Sequence, residues 1–471
     1  MRITLKKLLL INPVQKKSGY LLSRFTTFAP LGLAYLAGVT PPDWEVKIID
    51  ENFEIFEFEE ADLVGITGFT SSINRGYEIS KIYRDMGVPV VMGGIHASMI
   101  PDEVFHYADS IVIGEGEAVW PVLLKDFNSG KLKQVYRGEH IDLANSPPRP
   151  RRDVLGDRYV WQSIQTSRGC PFDCTFCSVT RYLGKEFRQR TAEDVLDELE
   201  SLPGKYVAFL DDNLIGNSKE SRERAKEIFR GMIHRKMKKR WWMQTSINAA
   251  RDPDVLKLAA RAGCFIAFVG FETIDQDGLK KMHKGVNIGI GVENYRKVVR
   301  VFHRYSIGVM GGFIIGNDFE SSSYYRKFAS FLLKSGIDIC QIAILTPLPG
   351  TELYDRMKDT GRLIDDNFPE DWANYRLSRV VHKVEGISTE AIYRGDNYIK
   401  KRIYTGTGFV HRMVKSLVAI RNPIRFAVIL IFNRAMKRGW VRSFYYGKFP
   451  HTLKVEDKHE NGKIIVHNGK L

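Results

Sequence analysis

Aliphatic and β-branched runs recur at short intervals through the first 125 residues. KKLLLINPV, WEVKIIDEN, ADLVGITGF, VPVVMGGIH and DSIVIGEGE each have the length and composition of a buried strand. Between them PLGLAYLAGV, NRGYEISKIYRDM, PDEVFHYA and AVWPVLLKDFNSG carry helical periodicity. Such alternation predicts an α/β domain, a doubly wound parallel sheet of Rossmann-like type. Ligands of these sheets bind beyond the carboxyl ends of the strands. Those ends read Asn12-Pro13, Thr67 to Ser71, Gly93-Gly94-Ile95 and Gly114 to Glu117. Thr67, Thr70, Ser71, Gly93, Gly94 and Glu115 are therefore candidate binding residues. The glycines would let a large flat ligand approach the backbone, or would only make tight turns.

Three prolines and a basic run in DLANSPPRPRRDVLGD interrupt the pattern and predict a linker over 142–158. A second alternating stretch begins at WQSIQTSRGC. Its strands read on through YVAFLDDN, WWMQTSIN, CFIAFVGFE, IGVMGGFIIGN and ICQIAILTPLP, with a cap-like Thr191/Asp194 pair opening one helix. Successive βα units predict a partial (β/α)6 barrel of TIM type, whose chemistry would lie at the strand C-termini. The expected organisation is 1–141, the linker, a barrel over 159–370, and a mostly helical region over 371–471.

Composition narrows this further. With 44% hydrophobic residues the chain is globular, and no apolar run is long enough to span a bilayer. The basic, apolar start MRITLKKLLLINPV lacks a cleavage site and reads as a strand, so a cytoplasmic location is expected. The formal charge is +15, and residues 401–450 hold eleven Lys or Arg and no Asp or Glu. That stretch also interleaves apolar residues, which suits either a helical cap on the barrel or peripheral contact with a membrane. Nucleic acid is a weaker partner, because no RNA-recognition signature accompanies the charge.

The sharpest chemistry is SRGCPFDCTFCSV. Cys170, Cys174 and Cys177 crowd three of the five cysteines into one loop after a strand. Four-iron clusters normally take four thiolates, so three leave one iron open to another ligand. Structural zinc would require a fourth Cys or His, and the nearest histidines are distant. Cys264 and Cys340 lie in apolar runs and read as buried small hydrophobes.

This C-x3-C-x2-C spacing resembles the signature of the radical S-adenosylmethionine (radical SAM) superfamily. Phe176 matches the aromatic position before the third cysteine, which in that family packs near the adenine. YVAFLDDN, with Asp211, Asp212 and Asn213, resembles the motif approaching the methionine amine. QTSIN, with Ser246, and AGCFIAFVGFET, with Glu272, resemble later barrel strands. The N-terminal segments look like the cobalamin-binding domain fused ahead of such barrels; together the matches span residues 1–370. The resemblance implies a [4Fe-4S] cluster, S-adenosyl-L-methionine and cobalamin as cofactors, with cleavage of SAM to a 5′-deoxyadenosyl radical that abstracts hydrogen from an unactivated carbon. It also implies an electron donor such as flavodoxin or ferredoxin. One departure is that many cobalamin domains have a cobalt-ligating histidine in the loop after the first strand, whereas NPVQKKSGYLLSRF has none. His96 reads as solvent-facing or phosphate-contacting. Arg188 and Arg190 are candidates to grip the SAM carboxylate, or are exposed salt bridges. Trp241 and Trp242 read as packing.

The expected activity is methylation of an unactivated carbon on a small-molecule or lipid/isoprenoid substrate. Oxidative cyclisation or carbon–carbon coupling without net methylation, tRNA modification, and a non-catalytic cobalamin or cluster sensor are the alternatives.

Overall fold

A computed structural model describes residues 5–14 and 27–447, with side chains to residue 441. The loop over 15–26 and the end of the basic stretch, 448–450, lie outside the described residues.

The first sheet contains β1 (Lys6–Asn12), β2 (Trp44–Asp50), β3 (Leu63–Thr67), β4 (Val90–Gly93), β5 (Ser110–Gly114) and β6 (Val135–Gly138). All pairings are parallel and the order is β2-β1-β3-β4-β5-β6. Alternation of side chains along each strand sorts the core into two layers. Leu9, Ile11, Val64, Ile66, Val90, Met92 and Ile111 enter one cluster. Leu8, Leu10, Leu63, Val91 and Val112 enter the other. Helices Leu31–Gly38 and Trp120–Asn128 cover the second face, and Ile73–Asp85 covers the first. β6 is an addition to the five strands expected; at four residues, with Val135 exposed, it has too little apolar pattern to read from sequence.

The second sheet is built from β7 (Gln162–Ile164), β10 (Tyr206–Phe209), β11 (Arg240–Thr245), β12 (Cys264–Glu272), β13 (Gly308–Ile315) and β14 (Ile339–Ile344). These six strands are parallel and run in sequence order across the sheet, with β7 and β14 as its edges. Between β7 and β10 a small antiparallel ribbon joins β8 (Ser167–Arg168) to β9 (Arg188–Gln189). The following helix, Ala192–Ser201, starts where expected: Thr191 Oγ1 accepts the Asp194 amide at 3.2 Å. Trp241 is fully buried and stacks on Phe229, and Cys264 and Cys340 are buried, all as expected.

Residues 142–158 do not hang as a loose tether. Leu155 is buried with the first sheet's core, Arg151 donates its amide to Ala34 O, and Arg152 pairs with Glu198 of the second sheet's layer.

The C-terminal helices Gly406–Ile420 and Pro423–Gly447 sit beneath the second sheet, at the amino ends of its strands. Ile420, Ile429 and Phe432 pack against Trp161, Phe265, Ile266, Met310 and Ile339. Arg412 donates to the Ile403 and Asp338 carbonyls, Asn433 also donates to Asp338 O, and Arg425 donates to Ser306 O. Some of the basic charge of 401–450 is thus spent on strand-end carbonyls inside the protein. Among the described residues no helix is long and apolar enough to cross a membrane.

Candidate active site

The three cysteines occupy the loop that the β8–β9 ribbon closes at its base. The Cys177 amide donates to Cys174 O at 3.1 Å and the Cys170 amide to Gly184 O at 3.2 Å, so the loop doubles back on itself. Gly169, at φ +87°, makes the turn possible; a Cβ there would meet the Glu186 carbonyl at 2.0 Å. All three thiols are partly exposed and none is in a disulfide. Burial pushes all three thiols up, Cys177 to about 12. Lys284 opposes that shift at each cysteine, which makes it the local source of positive potential for thiolates.

Lys284 itself donates to Glu272 Oε1 at 2.6 Å. Burial works against its charge, but Glu272 and Cys174 hold its pKa above the ordinary lysine value. Glu272 ends β12 in the left-handed region, at φ +64°, beside a register shift between Gly270 and Glu272. Asn287 secures this bend by donating to the Gly270 and Phe271 carbonyls. Left-handed backbone at a non-glycine residue is costly and persists only where the surroundings enforce it. Here they aim a carboxylate at the cysteine loop. Sequence reading did not single out Lys284, because nothing in KKMHKG separates it from its surface neighbours Lys280 and Lys281.

At the end of β10, three adjacent polar residues divide their roles. Asp211 is fully buried and accepts from Thr166 Oγ1 at 2.8 Å, the Thr166 amide and Ser167 Oγ, so it fixes the start of the ribbon. Asp212 has an exposed side chain in a concave setting; enclosure by protein and the Asp211 charge raise its pKa to about 6. Asn213 accepts the Ser246 amide at 3.2 Å, and its buried Nδ2 has no partner among the described residues. Ser246 donates to Asn248 at 2.6 Å. Asp212, Asn213 Nδ2, Ser246 and Glu272 thus offer donors and acceptors at the strand ends where an amino-acid-bearing ligand could bind.

A second cavity opens at the carboxyl edge of the first sheet. Gly32, Gly65, Gly93, Gly94, Gly114 and Gly116 line it together with Thr67, Trp120 and Tyr182. A Cβ on Gly94, which sits at φ +89°, would lie 2.5 Å from Thr67 Oγ1. One on Gly116 would lie 3.1 Å from Leu36, and one on Gly32 would project into open space. The slot is thus walled by backbone where side chains would fill it, which fits the insertion of a flat, extended group. Thr70 is buried against His96 at 3.2 Å, and Ser71 is partly exposed beside it.

Tyr182, from the short helix after the cysteines, reaches this slot and donates to Gly114 O at 3.3 Å. Glu115 lies next to it, 2% exposed. It pairs with Arg168 at 2.9 Å, with Arg188, and with the Ile141 amide at 3.0 Å. Burial opposes its charge, yet Arg188 and Arg168 hold its carboxyl below the usual range. Glu115 is therefore the counter-ion that joins the first sheet to the cysteine ribbon, and not an open ligand contact.

Three other expectations are corrected. Arg188 and Arg190 are neither free nor exposed: Arg188 is held by Glu115, and Arg190, 2% exposed, by Asp194 and Glu198. His96 is fully buried, between Thr70 and Glu103, with its ring edge-on to Trp372. Its neighbour Glu103 also accepts Tyr77 Oη and Trp372 Nε1, tying the first sheet to the segment after β14. Phe176 packs against this same mixed core.

Comparison with known proteins identifies the family. The model of the radical SAM superfamily matches residues 164–332, and that of the B12 binding domain matches residues 18–124. A bacteriochlorophyllide d C-12(1)-methyltransferase from Chlorobaculum tepidum is 30% identical over 87% of this chain and 89% of its own. The hopanoid C-2 methylase of Rhodopseudomonas palustris is 30% identical over 74% and 68%. The solved structure of OxsB, a cobalamin-dependent S-adenosylmethionine radical enzyme, superposes with a TM-score of 0.69 over 93% of this chain and 72% of its own, at 16% identity. Three thiols on one loop beside the Lys284 ammonium lie across Tyr182 from a glycine-walled slot, and the chain that carries them belongs to the cobalamin-dependent radical SAM methyltransferases.

Proposed function

We propose that this protein methylates an unactivated carbon of a small-molecule or lipid substrate of isoprenoid or comparably apolar type. The observation that carries the reading is the direct contact between the glycine slot and the cysteine loop, through Tyr182 and the Glu115–Arg168–Arg188 group. Relatives that methylate a hopanoid and a bacteriochlorophyllide support the substrate class.

In this proposal Cys170, Cys174 and Cys177 hold three irons of the cluster, and Lys284 offsets the thiolate charge. Asp212 receives the methionine ammonium, while Asn213, Ser246 and Glu272 position the rest of SAM. Thr67, Gly93, Gly94 and the slot hold the cobalamin, with Thr70 and Ser71 at its rim. Bound together, the cofactors supply a 5′-deoxyadenosyl radical and a transferable methyl group. The residues' part is to bring the reacting atoms together and to exclude water. Electrons would come from a flavodoxin- or ferredoxin-type donor.

Anaerobic reconstitution with cobalamin, SAM carrying a labelled methyl group, and a reductant tests the enzymatic claim. The expected products are 5′-deoxyadenosine, S-adenosylhomocysteine and a labelled compound from extract of cells lacking the gene. Formation of 5′-deoxyadenosine with no label transferred would favour cyclisation or coupling, and absence of both products would end the proposal.

A further inference from the structure

The two C-terminal helices bury one face against the strand ends, and among the described residues nothing covers the other. On Gly406–Ile420 the outward positions are Val410 (60% exposed), Val414 (55%), Leu417 (45%) and Val418 (66%). Their spacing makes one stripe along the helix. Across the turn at Arg421, which is in the left-handed conformation, the second helix continues the outward face with Ile424 (69%) and Ile431 (39%). Inward positions of the same helices, Met413, Ile420, Ile429 and Phe432, are buried. The outward apolar side chains are thus set apart from the inward ones that pack on the sheet.

Charge singles out the occupant. Arg421, Arg434, Lys437 and Arg438 are exposed on these two helices, and no Asp or Glu occurs anywhere from 401 to 450. Arg412 and Arg425 are already engaged by carbonyls beneath the sheet, but these four have no acidic neighbour on their own helices. A polyanion such as RNA would satisfy the charges but not the valines and isoleucines. A protein partner would have to supply both an apolar and an acidic surface. An anionic bilayer supplies both at once, because apolar side chains enter the acyl boundary while Lys and Arg stay among the headgroups.

We propose that the outward face of residues 410–441 docks flat on an anionic membrane surface. The strands of the second sheet point away from these helices, so docking would leave the cysteine loop on the side remote from the bilayer. This inference does not rest on the proposed reaction.

The test uses the full-length protein with its cluster reconstituted, in flotation assays with vesicles of phosphatidylcholine alone or with phosphatidylglycerol. Binding is expected only to the anionic vesicles and should weaken as salt rises. Replacing Arg434, Lys437 and Arg438 with Gln should lower partitioning on the order of a hundredfold, at about fivefold per charge. V414D/V418D should abolish binding while leaving the cluster absorption and cobalamin content unchanged. No flotation of the wild-type protein at low salt would overturn the proposal. So would equal flotation of V414D/V418D and wild type. A concentration-dependent dimer that V414D/V418D disrupts, or an RNA mobility shift, with no vesicle binding in either case, would give the face to a second copy or to nucleic acid instead.

Discussion

Lys284 Nζ lies 2.6 Å from Glu272 Oε1, and the largely enclosed pair acts electrostatically on the three cysteines. A positive charge close to an anionic cluster stabilises its reduced form more than its oxidised form. Lys284→Met should therefore lower the cluster's midpoint potential, and Glu272→Gln should raise it, each on the order of tens of millivolts. Redox titration followed by electron paramagnetic resonance reads both shifts. Movement of both variants in the same direction would show that the pair acts through folding and not through charge.

Asp212 carries a pH signature. Enclosure and the Asp211 charge raise its pKa to about 6, so below that value it is mostly neutral. If it receives the methionine ammonium, SAM affinity should be level above pH 7 and weaken about tenfold per unit below about pH 6. Asp212→Asn should bind more weakly at neutral pH and lose the slope. Equilibrium dialysis with reconstituted protein measures both, and an unchanged slope in the variant would remove Asp212 from the SAM site.

The slot has a position where volume can be added without harming the fold. A Cβ on Gly32 meets nothing within 4 Å. Gly32→Leu should keep the wild-type melting temperature to within a few degrees yet lose most bound cobalamin, measured by absorbance after gel filtration. Full retention of cobalamin would place the cofactor elsewhere.

Glu115 faces two arginines, and among the described residues it is the carboxylate that pairs with Arg188. Removing one member of a buried charge group leaves the others uncompensated, which typically costs about 3–5 kcal/mol. Glu115→Gln should lower the denaturant midpoint accordingly. It should also expose the joint between the sheets to protease before either sheet unfolds. A loss below about 1 kcal/mol would mean that the arginines find water in its absence.

Much of this architecture is legible in the sequence. Apolar runs mark interior strands such as β1, β3, β4 and β13 plainly, since a strand buried on both faces leaves a near-continuous apolar signature. Cys170, Cys174 and Cys177 announced themselves by spacing. What stayed hidden was pairing over distance. Glu115 looks like any polar residue at a strand end, and only the fold reveals that its partners lie 53 and 73 positions away. His96 and Arg190 differ from expectation for another reason: their carboxylates are close in sequence, Glu103 seven positions on and Asp194 at i+4, but the burial that turns these contacts inward is set by the packing of distant segments. Arg412 and Arg425 were hidden in a basic run whose composition does not distinguish a residue holding a carbonyl from one facing solvent.

The Glu115 junction bears on how such proteins can be recombined. Linear organisation suggests a cobalamin module that could be exchanged between relatives at the proline-rich segment. Yet the carboxylate belongs to one module and both guanidinium groups to the other, as do Gly114 and Tyr182. A graft cut between them would bring together ends chosen in different chains, so a working chimera has to carry the acid and its two bases as a set.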